Sequence, residues 1–283
     1  VSQAMLRDRY RGDALSRAMA VIVTVFMILP AVAPALGQAA LLLGSWRYTF
    51  VIGPVLAGVL ALWATRAEET LAPEARQPLE LAATTRAFAR VARTRTAFGN
   101  ALALTMLTTA FLPYLGSSER IYDAIYDRGD LFFFYFALTA GVMAATSTIG
   151  GRIVARVGTN RTLVVLSTAV RVVATTYVVV AIAMDGRPPF WVFFWLTAGV
   201  VSLTVAMQPT LTSRALDEVG DIAGTASSAI LGLSLVGATL LSPFVDRAIT
   251  DSVTPFAVGT LVLGVLGITA ANWADRWQLV ASR

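Results

Sequence analysis

Residues 188–213 read PPFWVFFWLTAGVVSLTVAMQPTLTS, a stretch of 26 positions without a charged side chain. A bilayer core about 30 Å thick is crossed by roughly 20 apolar residues in a helix. The stretch is long enough to cross a membrane, and it is longer than the apolar runs of ordinary buried helices. It therefore predicts a transmembrane helix.

Seven further hydrophobic windows of this kind lie along the chain, and a charge, Arg171, interrupts one of them. The windows are 18–46, 48–65, 96–118, 131–151, 162–184, 222–245 and 252–274. They lack the alternating polarity of membrane β-strands. Because backbone groups in lipid must be satisfied within each segment, helices are expected instead. The sequence predicts an all-α, polytopic membrane helix bundle with eight spans.

The composition excludes several classes of protein. Hydrophobic residues make up 57% of the 283 positions and charged residues 14%, whereas soluble domains average about 45–50% and 25%. All 22 basic residues are Arg, and His and Cys are absent. A Cys/His metal site, a His-dependent catalytic triad and a Lys-dependent nucleotide loop are thereby excluded. We expect no cofactor, no enzyme activity and, because the arginines are dispersed, no nucleic-acid partner.

The arginines of the connecting segments predict the orientation. Sixteen lie in the N-terminal stretch, the alternate loops 66–95, 152–161 and 214–221, and the C-terminal tail, whereas five lie in the other loops. The positive-inside rule then places both termini in the cytoplasm of a multi-pass protein of the plasma (bacterial inner) membrane. A cleaved signal peptide is the alternative for the first span, but its apolar run is too long for one.

The loop 66–95 is the long cytoplasmic connection, and it separates two spans from six. Six spans after a basic central loop are typical of one half of a repeat-built transporter. We therefore divide the chain into 1–72 (a two-span remnant of an N-terminal half), 73–95 (central cytoplasmic loop) and 96–283 (C-terminal six-helix bundle). A chain that begins with Val in a basic loop is expected to be the downstream part of a longer protein.

Several short motifs, in their order and spacing, resemble drug exporters of the major facilitator superfamily. Residues 7–10, RDRY, resemble the end of the fourth span. Pro34 and Gly37, with Pro30 ahead of them, resemble the glycine- and proline-rich motif of the fifth span, although two usual glycines are replaced. Proline bends a helix and small residues admit a close neighbour. A merely kinked helix is the alternative.

Two later motifs extend this resemblance. The superfamily's loop motif is matched in register by Gly151, Arg156 and Gly158, although the usual Asp of the motif is replaced. A plain basic turn is the alternative. The stretch 223–228, AGTASS, resembles the start of the eleventh span in Bcr/CflA-type drug-resistance transporters, as 114–118, YLGSS, resembles the outer end of their seventh.

The AGTASS stretch also carries a spacing pattern. Gly224, Ser228 and Gly232 recur every four residues, so they share one helix face as a small-residue seam. The resemblance implies that this seam lets two transporter halves approach and move.

The resemblance implies that the eight spans correspond to spans 5–12 of a twelve-span exporter. It also implies that a drug or another small amphiphilic molecule is exchanged for protons by alternating access, in a monomer within the lipid bilayer. In that fold the seventh and tenth spans line the cavity. The candidate cavity residues on these two spans are Asn100, Phe111, Tyr114, Trp191, Trp195 and Ser202. Such an aromatic wall suits amphiphilic substrates, and lipid-facing or packed aromatics are the alternative.

Two questions about charge follow. Arg171 is a functional hypothesis by default because a charge within a span is costly. The resemblance places its span on the outside of the bundle, so snorkelling or helix packing is favoured over substrate contact.

Proton coupling needs a buried carboxylate, and the eight windows contain none.

Two other functions stay open at this point. The first is import or facilitated transport of a small metabolite on the same scaffold. The second is a membrane-embedded enzyme acting on lipid-linked substrates. An enzyme would need acids clustered at a membrane face, and the acidic clusters are 119–130 and 217–221.

Overall fold

The computed structural model describes residue 37, residues 44–66 and residues 81–281. The chain divides into two compact units, residues 1–79 and 80–283, and each is described by itself. Within the described ranges every regular element is a helix. The predicted all-α fold is confirmed.

The described part of the first unit contains one apolar helix. A short 3-10 turn, Trp46–Tyr48, leads into helix α1, Thr49–Ala64, which matches the predicted span 48–65. Its end is closed by Thr65, whose hydroxyl donates a 2.7 Å hydrogen bond to the carbonyl oxygen of Leu62. The span predicted at 18–46, with Pro30 and Pro34, lies almost wholly outside the described residues; within it, the backbone of Gly37 is helical.

The described part of the second unit, residues 81–281, contains seven α-helices. They are α2 (Leu81–Arg93), α3 (Arg95–Arg120), α4 (Phe132–Val157), α5 (Thr159–Ala183), α6 (Phe190–Leu216), α7 (Ala223–Ala248) and α8 (Thr254–Ala281). Helices α3 to α8 are long and apolar enough to cross a membrane, which fits the six spans predicted for this part of the chain. The preceding helix α2 is shorter and strongly amphipathic.

Helices α3 and α6 form the centre of the six-helix bundle and pack against each other. Helix α3 also packs against α7 and α8, and α6 packs against α4 and α5. The helices α3–α5 and α6–α8 therefore make matching contacts, as two repeats of three helices do within half of a transporter. Helix α2 packs against α3 and α7.

Two clusters of buried side chains fill the bundle. The cluster around Leu104, Leu107, Met207 and Ile230 is aliphatic. The other, which we call the aromatic cluster, is rich in rings: Tyr114, Tyr122, Tyr135, Phe136, Phe190, Phe193, Phe194 and Phe256. Since lipid tails are as apolar as these side chains, close van der Waals packing and interhelical hydrogen bonds must hold the helices together.

The turn between α4 and α5 depends on one glycine. Gly158 has φ +83° and ψ 165°, a backbone region essentially restricted to glycine. Its N–H donates to the carbonyl oxygen of Val154, and its own carbonyl accepts the N–H of Thr162. Gly151 has open space where a Cβ would lie, and Arg156 is exposed nearby. Of the two motif glycines, only Gly158 is required by the backbone.

Helix α3 extends beyond the predicted span at 96–118. Helix α3 continues to Arg120 and through a π-helical turn, Ile121–Ile125. Charges at 119 and 120 end the apolar window, but the Arg120 guanidinium donates to the carbonyl oxygens of Asp246 at 3.0 Å and Ile249 at 2.7 Å. These bonds satisfy the guanidinium, so the helix can continue.

Candidate substrate pathway

Asn100 lies near the start of α3 and is completely buried. Its side-chain Nδ2 donates a 2.8 Å hydrogen bond to the carbonyl oxygen of Thr96, one turn back in the same helix. Its Oδ1 has no hydrogen-bond partner in the described structure. A buried acceptor without a partner is unusual in folded proteins and marks a place where a donor can bind.

Tyr114 lies further along the same helix, inside the aromatic cluster. Its ring stacks on Phe136 of α4 with centroids 5.4 Å apart, and the ring of Phe111 lies 6.3 Å away. Tyr114 is buried whereas Phe111 is half-buried. The two residues predicted from the sequence therefore lie together, but the ring of Tyr114 is engaged by packing.

The structure adds two residues to this face of α3. Tyr114, Ser118 and Tyr122 follow one another at intervals of four, all are buried, and none of their hydroxyls has a hydrogen-bond partner within the described ranges. Tyr122 was not among the predicted residues because the charges at 119 and 120 end the apparent span. The four-residue spacing of the hydroxyls was the available signal, since it places them on one helix face.

The three candidates on α6 do not share one environment. Trp191 and Trp195 are 51% and 54% exposed, whereas Ser202 is 1% exposed. Their spacing does place them on nearly the same side of the helix. This side of α6 is therefore covered by neighbouring helices at Ser202 and open at the two tryptophans. The Ser202 hydroxyl also lacks a hydrogen-bond partner among the described residues.

The small-residue seam lies on an open face of α7. Gly224, Ser228 and Gly232 are exposed, and no atom in the described structure lies within 4 Å of a Cβ built on either glycine. The opposite face of α7 packs on α3. There a Cβ on Gly237 would lie 2.6 Å from Cγ2 of Thr105, so Gly237 is the residue that permits this helix crossing.

Arg171 lies on an exposed face of α5 within the described bundle. Its guanidinium is exposed, and Nη2 donates a 3.3 Å hydrogen bond to Thr168 Oγ1. It is not part of the interior face formed by the candidates on α3.

Asp246 lies within a described span, although it falls just outside the window 222–245 read from the sequence. Helix α7 runs to Ala248 and so includes Asp246 in its last turn. The Asp246 carboxylate accepts a 2.7 Å hydrogen bond from Ser117 Oγ. In the loop that follows α3, Asp123, Asp127 and Asp130 are exposed.

The loops at this end of the bundle are bonded to one another. Tyr126 donates a 3.0 Å hydrogen bond to the carbonyl oxygen of Pro188, and burial raises the pKa of its phenol. Arg187 donates to the carbonyl oxygen of Asp251 at 3.0 Å. The connections after α3, α5 and α7 are therefore joined by side-chain bonds to backbone oxygens.

Comparison with known proteins identifies the scaffold. Residues 1–240 match the sequence profile of the Major Facilitator Superfamily. A bicyclomycin resistance protein homolog from Haemophilus influenzae is 26% identical over an alignment of 290 residues, which covers 98% of this chain and 71% of that protein. An uncharacterized MFS-type transporter, YdgK, from Bacillus subtilis is 25% identical over 277 residues, which covers 95% of this chain and 67% of that protein.

These similarities confirm the resemblance to Bcr/CflA-type transporters drawn from the motifs. Together with the six apolar helices α3 to α8, they define the class of protein. The chain belongs to the Major Facilitator Superfamily and is a multi-pass membrane transporter of a small-molecule substrate.

Proposed function

We propose that this protein exports drugs or other small amphiphilic molecules in exchange for protons, by alternating access. The name of the Haemophilus influenzae relative, a bicyclomycin resistance protein homolog, supports drug export. The observation that carries the proposal is the interior of α3 and α6, where apolar and aromatic side chains surround a few polar atoms without partners. Such a lining suits amphiphilic substrates.

The substrate would contact these polar atoms through hydrogen bonds. Asn100 Oδ1 accepts, and Ser202 Oγ can both donate and accept. Phe111, Tyr114, Trp191 and Trp195 would supply apolar contact, the two tryptophans through their exposed rings. Because a bound molecule would replace no existing hydrogen bond at Asn100 Oδ1 or Ser202 Oγ, its own polar groups would gain partners there.

The remaining parts of the chain have supporting roles in this proposal. Residues 1–72 would belong to the N-terminal half, 73–95 to the central cytoplasmic loop and 96–283 to the C-terminal half. Gly224, Ser228 and Gly232 would form the small-residue seam that the resemblance implies. Pro30, Pro34 and Gly37 would bend the fifth span, and the turn with Gly151, Arg156 and Gly158 would lie in the cytoplasm with both termini. The transporter would act as a monomer in the inner membrane.

Proton coupling requires a carboxylate that is buried and protonated during the cycle. Asp246 lies at the end of α7 and is only partly buried, so it is poorly placed for that task. The proposal therefore needs a coupling acid outside the described helices, in the rest of the transporter.

The experiment is a flux assay with the full transporter in proteoliposomes. A fluorescent amphiphilic dye is loaded inside, and a pH gradient of either sign is imposed. We expect dye movement against its own gradient when protons can flow the opposite way, and no such movement after a protonophore is added. Transport that moves dye only down its gradient, with or without the protonophore, would identify a facilitator and overturn the proposal.

A further inference from the structure

Arg171 is a charged side chain in the middle of a membrane-spanning helix. It is the thirteenth of the 25 residues of α5, and its side chain is exposed on the outer surface of the bundle. Its hydrogen bond goes to Thr168, and within the described ranges no carboxylate forms an ion pair with it. A guanidinium in hydrocarbon is costly unless water or an anion reaches it. The position therefore calls for water or an anionic partner at the guanidinium.

A shallow groove starts at this guanidinium and follows the surface of α5. It has a volume of about 440 Å³ and is lined by Arg171, Val172, Thr175, Thr176, Val179 and Val180. The end with Arg171 is charged, and the far end is apolar. An amphiphile with an anionic head and a hydrocarbon tail matches this order of side chains.

Polar side chains connect the groove with the N-terminal end of α5. Arg161, Thr168 and Thr175 are exposed and recur every seven residues, so they form one stripe along the helix. The guanidinium of Arg171 bonds to Thr168, which is nearly one turn closer to that end. The charge is thus directed toward the membrane surface at the N-terminal end of the helix, which the positive-inside rule predicts to be cytoplasmic.

The depth of the guanidinium is compatible with a lipid phosphate. If the hydrocarbon core of about 30 Å is counted back from Ala183, it ends near Val164. Thr168 then lies four residues inside the boundary, at about 6 Å. Slight thinning of the bilayer or snorkelling of the side chain spans such a distance.

We propose that Arg171 and Thr168 bind the phosphate of an anionic phospholipid from the leaflet at the N-terminal end of α5, with an acyl chain in the groove along Val172–Val180. A guanidinium can form paired hydrogen bonds with a phosphate. A second copy of this chain is a poor occupant, because a two-fold axis normal to the membrane would bring one Arg171 toward the other at equal depth. A carboxylate on a different membrane helix is the competing occupant, and the experiment separates the two.

The full chain is reconstituted in nanodiscs of phosphatidylcholine, with or without phosphatidylglycerol. Retained lipids are counted by native mass spectrometry after gentle extraction. The variants are Arg171→Leu, Arg171→Lys and Thr168→Val. The matched control is Arg152→Leu, which removes an exposed charge beyond the N-terminal end of α5 without touching the groove. Leu at position 171 faces lipid, so the variant is expected to fold.

We expect the original protein and Arg152→Leu to retain one phosphatidylglycerol that Arg171→Leu loses. In Arg171→Leu, the apparent affinity for phosphatidylglycerol should fall on the order of tenfold or more, as expected for the loss of one charged hydrogen bond. Arg171→Lys should keep part of the affinity, because the charge remains but the paired geometry is lost. Equal retention by Arg171→Leu and the original protein would overturn the proposal.

A photo-crosslinking residue in place of Val172 identifies the occupant directly in the native membrane. A mass increase equal to one phospholipid, abolished by Arg171→Leu, supports the site. A crosslink to a second polypeptide, with no lipid adduct, would show that a partner helix occupies the groove and that the lipid assignment is wrong.

Discussion

The hydroxyl of Ser117 on α3 donates a 2.7 Å hydrogen bond to the carboxylate of Asp246 on α7. A Cβ on Gly116 would lie 3.6 Å from Oδ1 of Asp246, an ordinary van der Waals contact, so the contact between the two helices does not depend on this glycine. Arg120 adds hydrogen bonds to the carbonyl oxygens of Asp246 and Ile249. The YLGSS motif thus joins two spans of one half at the end of the bundle.

Ser117→Ala should weaken this junction. The substitution removes a hydrogen bond to a charged group and leaves the Asp246 carboxylate with one donor fewer, so the loss of stability should be about 1–2 kcal/mol. Thermal unfolding of the purified protein, followed by tryptophan fluorescence, measures the effect. The matched control is Ser227→Ala, whose hydroxyl bonds only to its own helix at Gly224. Equal melting temperatures for the two variants would show that the Ser117 bond is dispensable.

Gly237→Ala should disrupt the crossing of α3 and α7. The new Cβ would lie 2.6 Å from Cγ2 of Thr105, and Thr105 cannot rotate without losing its hydrogen bond to Ala101. Overpacking of this kind costs about 1–3 kcal/mol. Stability in detergent and the yield of folded protein are the measurements.

Gly141→Ala is the control for that substitution, since open space surrounds Gly141 and alanine is the better helix former. A double variant, Gly237→Ala with Thr105→Ala, should recover much of the stability lost in Gly237→Ala, because the clashing methyl group of Thr105 is gone. Failure of the double variant to recover would point away from the close contact as the cause.

Gly158→Ala should impair the turn between α4 and α5. A non-glycine residue at φ +83° and ψ 165° costs about 1–3 kcal/mol of backbone strain. Gly151→Ala, in the same motif but with ordinary helical backbone and open space, should have little effect. Urea-induced or thermal unfolding of both variants tests this difference, and similar losses would contradict the assignment of the turn to Gly158 alone.

Ser202→Ala and Asn100→Leu should reduce transport while leaving the fold intact. If each side chain gives the substrate one hydrogen bond of about 1–1.5 kcal/mol, the KM for a polar amphiphile should rise on the order of tenfold. Initial rates of dye efflux at several concentrations measure it. Ser167→Ala is the control, because that buried hydroxyl already bonds to Val164 in its own helix. Unchanged KM values in both variants would remove these residues from the proposed pathway.

The class of structure follows from the amino-acid sequence alone. Long charge-free windows such as 188–213 predicted membrane helices that the structure contains, because the bilayer admits few alternatives for the backbone. The motifs around 114–118, 151–158 and 223–228 pointed to the superfamily that the comparisons confirm. The glycine at 158 was also readable, since a tight turn between two helices needs an unusual backbone conformation.

The contacts between side chains, in contrast, depend on how the helices pack. Trp191, Trp195 and Ser202 share a side of α6, yet crossing helices cover one and leave the others open. Gly237 rather than Gly232 permits a close crossing within the second unit. Arg120 lies in a helix that extends beyond the window read from the sequence, and its guanidinium donates hydrogen bonds to backbone oxygens at the end of α7. Such contacts depend on the angles and distances between helices. These angles and distances cannot be predicted from the spacing of residues along one helix.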